Sequence, residues 1–148
     1  MTDADPLDLF RLFTEIGIVN QLGNAHLERH LPAGYLASHF GILNHLVRIG
    51  EGQTPLVLAR AFQLPKPTMT RLLAQLELDG LVAMTPHPLD GRSKMVFPTD
   101  AGRAFRDTAI DELGPSLRGL MADVDLTDLP RVLTLLAAVR RHLDEART

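Results

Sequence analysis

Lys66-Pro67-Thr68-Met69-Thr70-Arg71-Leu72-Leu73-Ala74-Gln75-Leu76-Glu77-Leu78-Asp79-Gly80, followed shortly by Asp90-Gly91-Arg92-Ser93-Lys94, is the stretch on which the fold turns. Met69, Leu72, Leu73 and Leu76 recur at the three-and-four interval of one helical stripe, so the segment reads as a helix from about Lys66 with one buried side and a stop at Gly80. Pro65 and Pro67 suit its start, because a proline in the first turn gives up only an amide that had no partner inside the helix. Opposite the stripe fall Pro67, Thr68, Arg71, Ala74 and Gln75, with Thr70 at its margin. These are short or hydrogen-bonding side chains on a face free to approach base edges.

Working outward, Thr54 and Pro55 read as N-cap and first residue of a shorter helix to about Phe62, packed by Leu56, Leu58, Ala59 and Phe62. Gln63 to Pro65 then form the turn between two helices, which is the helix-turn-helix arrangement whose second helix enters the major groove. After Gly80 the period changes. Leu81 to Thr85 and Lys94 to Phe97 suit short strands, and Pro86, His87, Pro88, Asp90 and Gly91 supply the turn between them. A helix-turn-helix followed by a hairpin is a winged helix, and its tip places Arg92 where it can reach a groove, with Asp90 beside it to steer it. Ser93 and Lys94 complete the basic tip. Lys66 at the helix start can meet a phosphate together with the free amides there. The expected DNA-binding residues are therefore Thr54, Lys66, Pro67, Thr68, Thr70, Arg71, Gln75, Asp90, Arg92, Ser93 and Lys94.

These residues resemble the MarR family of bacterial transcription regulators. Leu64 to Arg71, then Leu76-Glu77 and Gly80-Leu81-Val82, carry the likeness, and the wing carries it further through Asp90, Arg92, Lys94, Val96, Thr99 and Gly102. The resemblance implies a minor-groove role for Arg92, oriented by Asp90, and a major-groove role for Thr68 to Arg71. It implies a homodimer joined through the first and last helices, and a small-molecule effector of the kind that often lodges between those helices and the reading head in the family. Two positions depart from the family pattern: Gly91 stands where many members have a second basic residue, and Pro67 where serine is frequent.

The overall charge of −3 is unusual for a DNA partner, but it is unevenly distributed. Residues 66–106 hold six basic against four acidic side chains, whereas residues 1–65 hold four against six and residues 107–148 five against eight. A basic reader between acidic flanks favours one docking face, and the small excess implies a shallow salt dependence.

The 148 residues, 45% hydrophobic and 22% charged, fit one domain of ordinary globular composition. Residues 35–102 are expected to form the DNA-reading part, and 6–31 with 103–146 a helical dimerisation part. Flanking helices are expected from Pro6 to about His30, from Leu36 to Val47, from Thr99 with a bend at Gly114-Pro115, and after a cap at Thr127 or Asp128. Their apolar content exceeds what one small head needs. A two-fold dimer would present two recognition helices about 10 base pairs apart. The fold class expected is mainly α with a small β-hairpin wing.

No apolar run reaches the ~18 residues of a membrane span, and the acidic start lacks a signal peptide's basic region, so the expected location is the cytoplasm with no membrane partner. With no cysteine, neither thiol redox sensing nor a thiolate zinc site is available. His26 and His30 share a helical face at a spacing zinc can use, but Glu28 lies off that face, and His39 and His45 lie on different faces of the next helix. All four read as packing or surface residues that could border an effector or sense pH, and no metal or cofactor is expected. Neither a phosphate-binding glycine loop nor a nucleophile elbow is present, and His26 to His30 is not a His-Glu-x-x-His motif, so the chain does not read as an enzyme. The competing reading is a winged helix that binds protein and does not read DNA.

Overall fold

The computed structural model describes residues 3–147. Among them the chain forms α1 (Pro6–Arg29), α2 (Ala37–Arg48), α3 (Pro55–Phe62), α4 (Lys66–Leu78), β1 (Val82–Pro86), β2 (Lys94–Pro98), α5 (Asp100–Asp123) and α6 (Leu129–Glu145). It divides into two compact units, the first ending at Glu112 and the second beginning at Leu113, so the boundary falls within α5.

The first unit is organised around the expected helix-turn-helix. Thr54 caps α3 by accepting the Val57 N–H at 3.3 Å, and Pro55 opens the helix. The chain leaves α3 through Gln63, which adopts the left-handed conformation at φ 57° and lets the backbone turn sharply into Leu64-Pro65. The apolar stripe of α4 is buried as its spacing predicts, with Met69, Leu72, Leu73 and Leu76 packed against Ile42, Leu43 and Leu46 of α2 and Leu58 and Ala59 of α3. Gly80 takes φ 73°, and the Leu81 N–H reaches back to the Leu76 carbonyl at 2.8 Å to close the helix.

β1 and β2 pair antiparallel, with Val82 opposite Pro98 and Pro86 opposite Lys94. Both strands lie within a residue of the sequence expectation. A third segment joins them: Gln53 bridges Val96, whose N–H donates to the Gln53 carbonyl at 2.9 Å, while the Gly52 N–H donates to the Val96 carbonyl at 2.8 Å. His45 of α2 holds the Gln53 side chain, with Nε2 and Oε1 3.0 Å apart, and stacks edge-on against Phe62. The base of the wing is thus fastened to the loop that precedes α3.

Gly114 and Pro115, where a bend is expected, lie inside α5. The N-cap position of α6 is Asp128, one of the two expected, but neither it nor Thr127 caps the helix through its side chain; the Thr127 hydroxyl instead donates to Asp125 at 2.6 Å. Most apolar residues of α1 stay outside the core of this chain. Only Leu27 of that helix is buried, while Phe10 is 73% exposed and Leu7, Phe13, Val19 and Leu22 are exposed as well. In the second unit α6 buries none of its residues and exposes Leu129, Val132, Leu133, Leu135 and Leu143.

Candidate nucleic-acid interface

The outward side of α4 begins with Lys66 and Pro67, both exposed, and continues through Thr70, Arg71 and Ala74, also exposed, with Thr68 half-buried. No side chain caps this helix, so its first amides are left for an anion to meet, beside the Lys66 ammonium. The Thr70 hydroxyl donates to the Lys66 carbonyl at 3.0 Å, which commits its proton within the helix and leaves its oxygen as an acceptor. The Thr54 hydroxyl is likewise engaged in capping α3.

Gln75 stands apart from this group. It is half-buried, and its amide donates to the Gly34 carbonyl at 3.4 Å, tying α4 to the loop between α1 and α2. Tyr35 of the same loop donates its phenolic proton to the carboxylate of Asp79 at the end of α4. Burial, the hydrogen bond to Asp79 and its negative charge push the phenol up to about 12. The Tyr35 ring also packs on Phe105, with centroids 4.9 Å apart, and edge-on against His39 at 5.1 Å. His39 is 2% exposed. Its Nδ1 accepts the Leu36 N–H at 2.8 Å, which assigns the ring proton to Nε2, and that atom is buried without a hydrogen bond. Burial holds the imidazole below its ordinary value, against the opposing influence of Gln75, the Leu36 N–H and Asp79. Sequence spacing gives no hint of this tether, because Tyr35 and Asp79 are 44 residues apart.

At the wing tip the acid acts on the arginine through the backbone: Asp90 Oδ1 accepts the Arg92 N–H at 3.0 Å, and the Asp90 carbonyl accepts the Ser93 N–H at 3.0 Å. Below them the His87 N–H donates to the Ser93 carbonyl at 2.9 Å, and the Leu89 N–H to His87 Nδ1 at 3.1 Å. The loop is therefore held in one shape while the Arg92 and Lys94 side chains extend outward, both exposed.

Wing and recognition helix share a cleft of about 440 Å³. Lys66, Thr70 and Leu73 of α4 form one wall, Asp90, Arg92, Ser93 and Lys94 of the wing another, and Pro55, Leu56 and Met84 the apolar floor. Six of the residues expected from sequence to bind DNA are thereby brought to one concave surface, three of them cationic. Arg71 lies outside this cleft but on the same outward side of α4.

A second cleft, of about 600 Å³, opens on the first unit. Leu31, Pro32, Leu81, Phe105 and Ala109 give it apolar walls, and Arg29, His30, Thr108 and Glu112 give it a polar edge. His30 Nδ1 lies 3.9 Å from Glu112 Oε2, and the His26 and His30 rings meet edge-on at 5.0 Å. Among the described residues no three histidine or carboxylate side chains are grouped so as to hold a metal ion, and no helix is long and apolar enough to cross a membrane.

Residues 33–93 match the sequence model of the MarR family. Among curated proteins, the transcriptional activatory protein BadR of Rhodopseudomonas palustris is 25% identical over 136 residues, covering 88% of this chain and 74% of that protein. The fold superposes on a mutant MarR from E. coli in complex with operator DNA, with a TM-score of 0.72 and 26% identity, covering 92% of this chain and 99% of the other. The PcaV regulator of Streptomyces coelicolor, solved with its natural ligand, superposes with a TM-score of 0.67 at 21% identity over 99% of both chains.

Proposed function

We propose that this chain, a MarR-family transcriptional regulator built on a winged helix-turn-helix, binds an inverted-repeat operator as a homodimer and represses from it. The observation that carries this reading is the shared cleft, in which Lys66 at the start of α4 and Arg92 and Lys94 of the wing converge. Convergent cations with a free helix N-terminus suit a phosphate backbone, and the short side chains along α4 allow close approach to base edges. Thr68, Thr70 and Arg71 face the major groove and Arg92 enters the minor groove, while Thr54, Pro67 and Ser93 shape the surface beside the phosphates. The likeness to a relative solved with operator DNA supports this mode.

The dimer rests on the uncovered apolar residues of α1 and α6, whose exposure in a single chain is large for a protein in water. Two-fold pairing sets the spacing of the two recognition helices, so anything that alters the pairing alters the fit to the operator. A small-molecule effector is assigned to the cleft beside Arg29, His30 and Glu112, where polar groups edge an apolar pocket. An effector that binds better to a mispaired dimer draws the population off DNA. The chain works in the cytoplasm, where its DNA is.

Selection of binding sites from a random duplex library, with affinity of the winner followed against salt, tests the reading. A two-fold symmetric site whose affinity falls with salt supports it. Failure to enrich any sequence, with the protein folded, overturns it in favour of a protein-binding winged helix.

A further inference from the structure

Leu89 is the most exposed large apolar side chain among the described residues, at 91%, and it stands at the tip of the wing three positions from Arg92. Its placement is not slack. The Leu89 N–H is held by His87 Nδ1, the His87 N–H by the Ser93 carbonyl, and the residues that follow by the two bonds to Asp90. Pro88 immediately before it fixes one more backbone angle. The loop that carries the exposed Arg92 therefore presents a leucine along with it, exposed as well. The residue after it, Asp90, and then Arg92, Ser93 and Lys94 line the cleft shared with Lys66 of α4, so the wing that carries the leucine is rich in cations. Such a setting suits a polyanion and disfavours an apolar protein partner.

We infer that Leu89 enters the minor groove beside Arg92 and selects against guanine there. The inference rests on the DNA-reading assignment and adds a specificity element to it. Minor-groove proteins often place apolar side chains in that groove, inserting them as wedges between base steps. A G·C pair differs from A·T in that groove by one donor, the guanine 2-amino group. A leucine pressed over that amino group strips its water and offers no acceptor, leaving an unpaired donor, whereas the A·T edge leaves a smoother floor. Arg92 reads groove width and potential, and Leu89 reads the absence of the amino group.

Inosine tests this directly, because an I·C pair keeps the major-groove pattern of G·C and lacks the minor-groove amino group. The wing-contacted positions of the selected operator are those whose sugar protection is lost with Arg92→Ala. At these positions the wild-type protein is expected to bind I·C roughly five- to tenfold more tightly than G·C. Leu89→Ser, a change on the exposed tip, is expected to bind the two within about twofold of each other. Retention of the full I·C preference by Leu89→Ser would overturn the role of Leu89 while leaving the DNA reading intact. If no duplex is bound and Arg92→Ala changes nothing, the DNA reading itself fails, and the role of Leu89 with it.

Discussion

The backbone of Gly102 lies against the carbonyl of Leu81 so closely that a Cβ at Gly102 would sit 2.0 Å from that oxygen. The Leu81 carbonyl also accepts the Thr99 N–H at 3.1 Å, and the Thr99 hydroxyl accepts the Gly102 N–H at 3.0 Å. The first turn of α5 is thereby seated directly on the start of β1. Gly102→Ala must displace backbone on one side or the other, and overpacking of this kind is expected to destabilise the protein by about 3 kcal/mol. Chemical denaturation of the variant against wild type checks it. A midpoint unchanged by the substitution would mean that the contact is not rigid.

Arg92→Ala is expected to weaken operator binding by about 1–3 kcal/mol and to relax sequence preference where the wing lands. Lys66→Ala should act differently. On the proposed reading it removes a phosphate contact, so affinity should fall evenly across sequences and the salt slope should flatten by about one ion. Titrations of both variants at several salt concentrations distinguish the two roles.

Tyr35 is the sole tyrosine and the chain has no tryptophan, so phenolate absorbance reports this one group. Its folded pKa of about 12 lies above the ordinary value of 10.0, so the stability it contributes is present below pH 10 and lost as pH rises from there through 12. In Asp79→Asn the midpoint should fall part of the way back, because burial, the largest cause, remains. A midpoint near 10 in the wild-type protein would show that neither the burial of the ring nor the bond to Asp79 is kept in solution.

His39 behaves in the opposite sense. It is held neutral in the fold, below its ordinary 6.5, so its contribution to stability is complete above pH 6.5 and is lost as pH falls from there towards the folded value. One proton can change stability by at most about 1.4 kcal/mol per pH unit. Denaturation curves from about pH 7.5 down to about pH 5 should show a decline that His39→Gln reduces. Equal slopes in the two proteins would remove His39 from the acid response.

Phe10→Glu places a carboxylate on the exposed apolar side of α1. It is expected to lower the dimerisation constant about a hundredfold or more while leaving the reading head folded, since α1 places only Leu27 in its core. Sedimentation equilibrium and circular dichroism together measure the two effects. An unaltered dimer would move the interface away from this face.

The reading head was legible because its signals are local. Prolines at Pro55, Pro65 and Pro67, the Thr54 cap and the Gly80 stop each act within a turn of where they stand, and the α4 stripe needs only its own spacing. β1 begins at Val82 and not at Leu81 because the Leu81 N–H is spent closing α4, a choice made by geometry beyond the strand's own pattern. The tether from Gln75 and Asp79 to Gly34 and Tyr35 was illegible for the same reason at longer range. A helical wheel places Gln75 outward, and only folding brings Gly34 beside it. Spacing places Asp90 beside Arg92, but an Asx-type turn onto the backbone cannot be told from a side-chain ion pair by spacing alone.

The bridge from Gln53 to Val96 makes the reading head a caliper whose jaws are set at a fixed opening. One jaw is α4, the other the wing, and His45 clamps the hinge through Gln53. A caliper of this kind measures as well as grips: it fixes the distance along the duplex between what is sampled in one groove and what is sampled in the next. Insertion of a base pair within a half-site should therefore be more damaging than many base changes, because the jaws cannot reopen to follow it. On the proposed dimer the gap between half-sites is gauged elsewhere, by the pairing of two chains, so a regulator of that design could retune the gap without recutting the jaws.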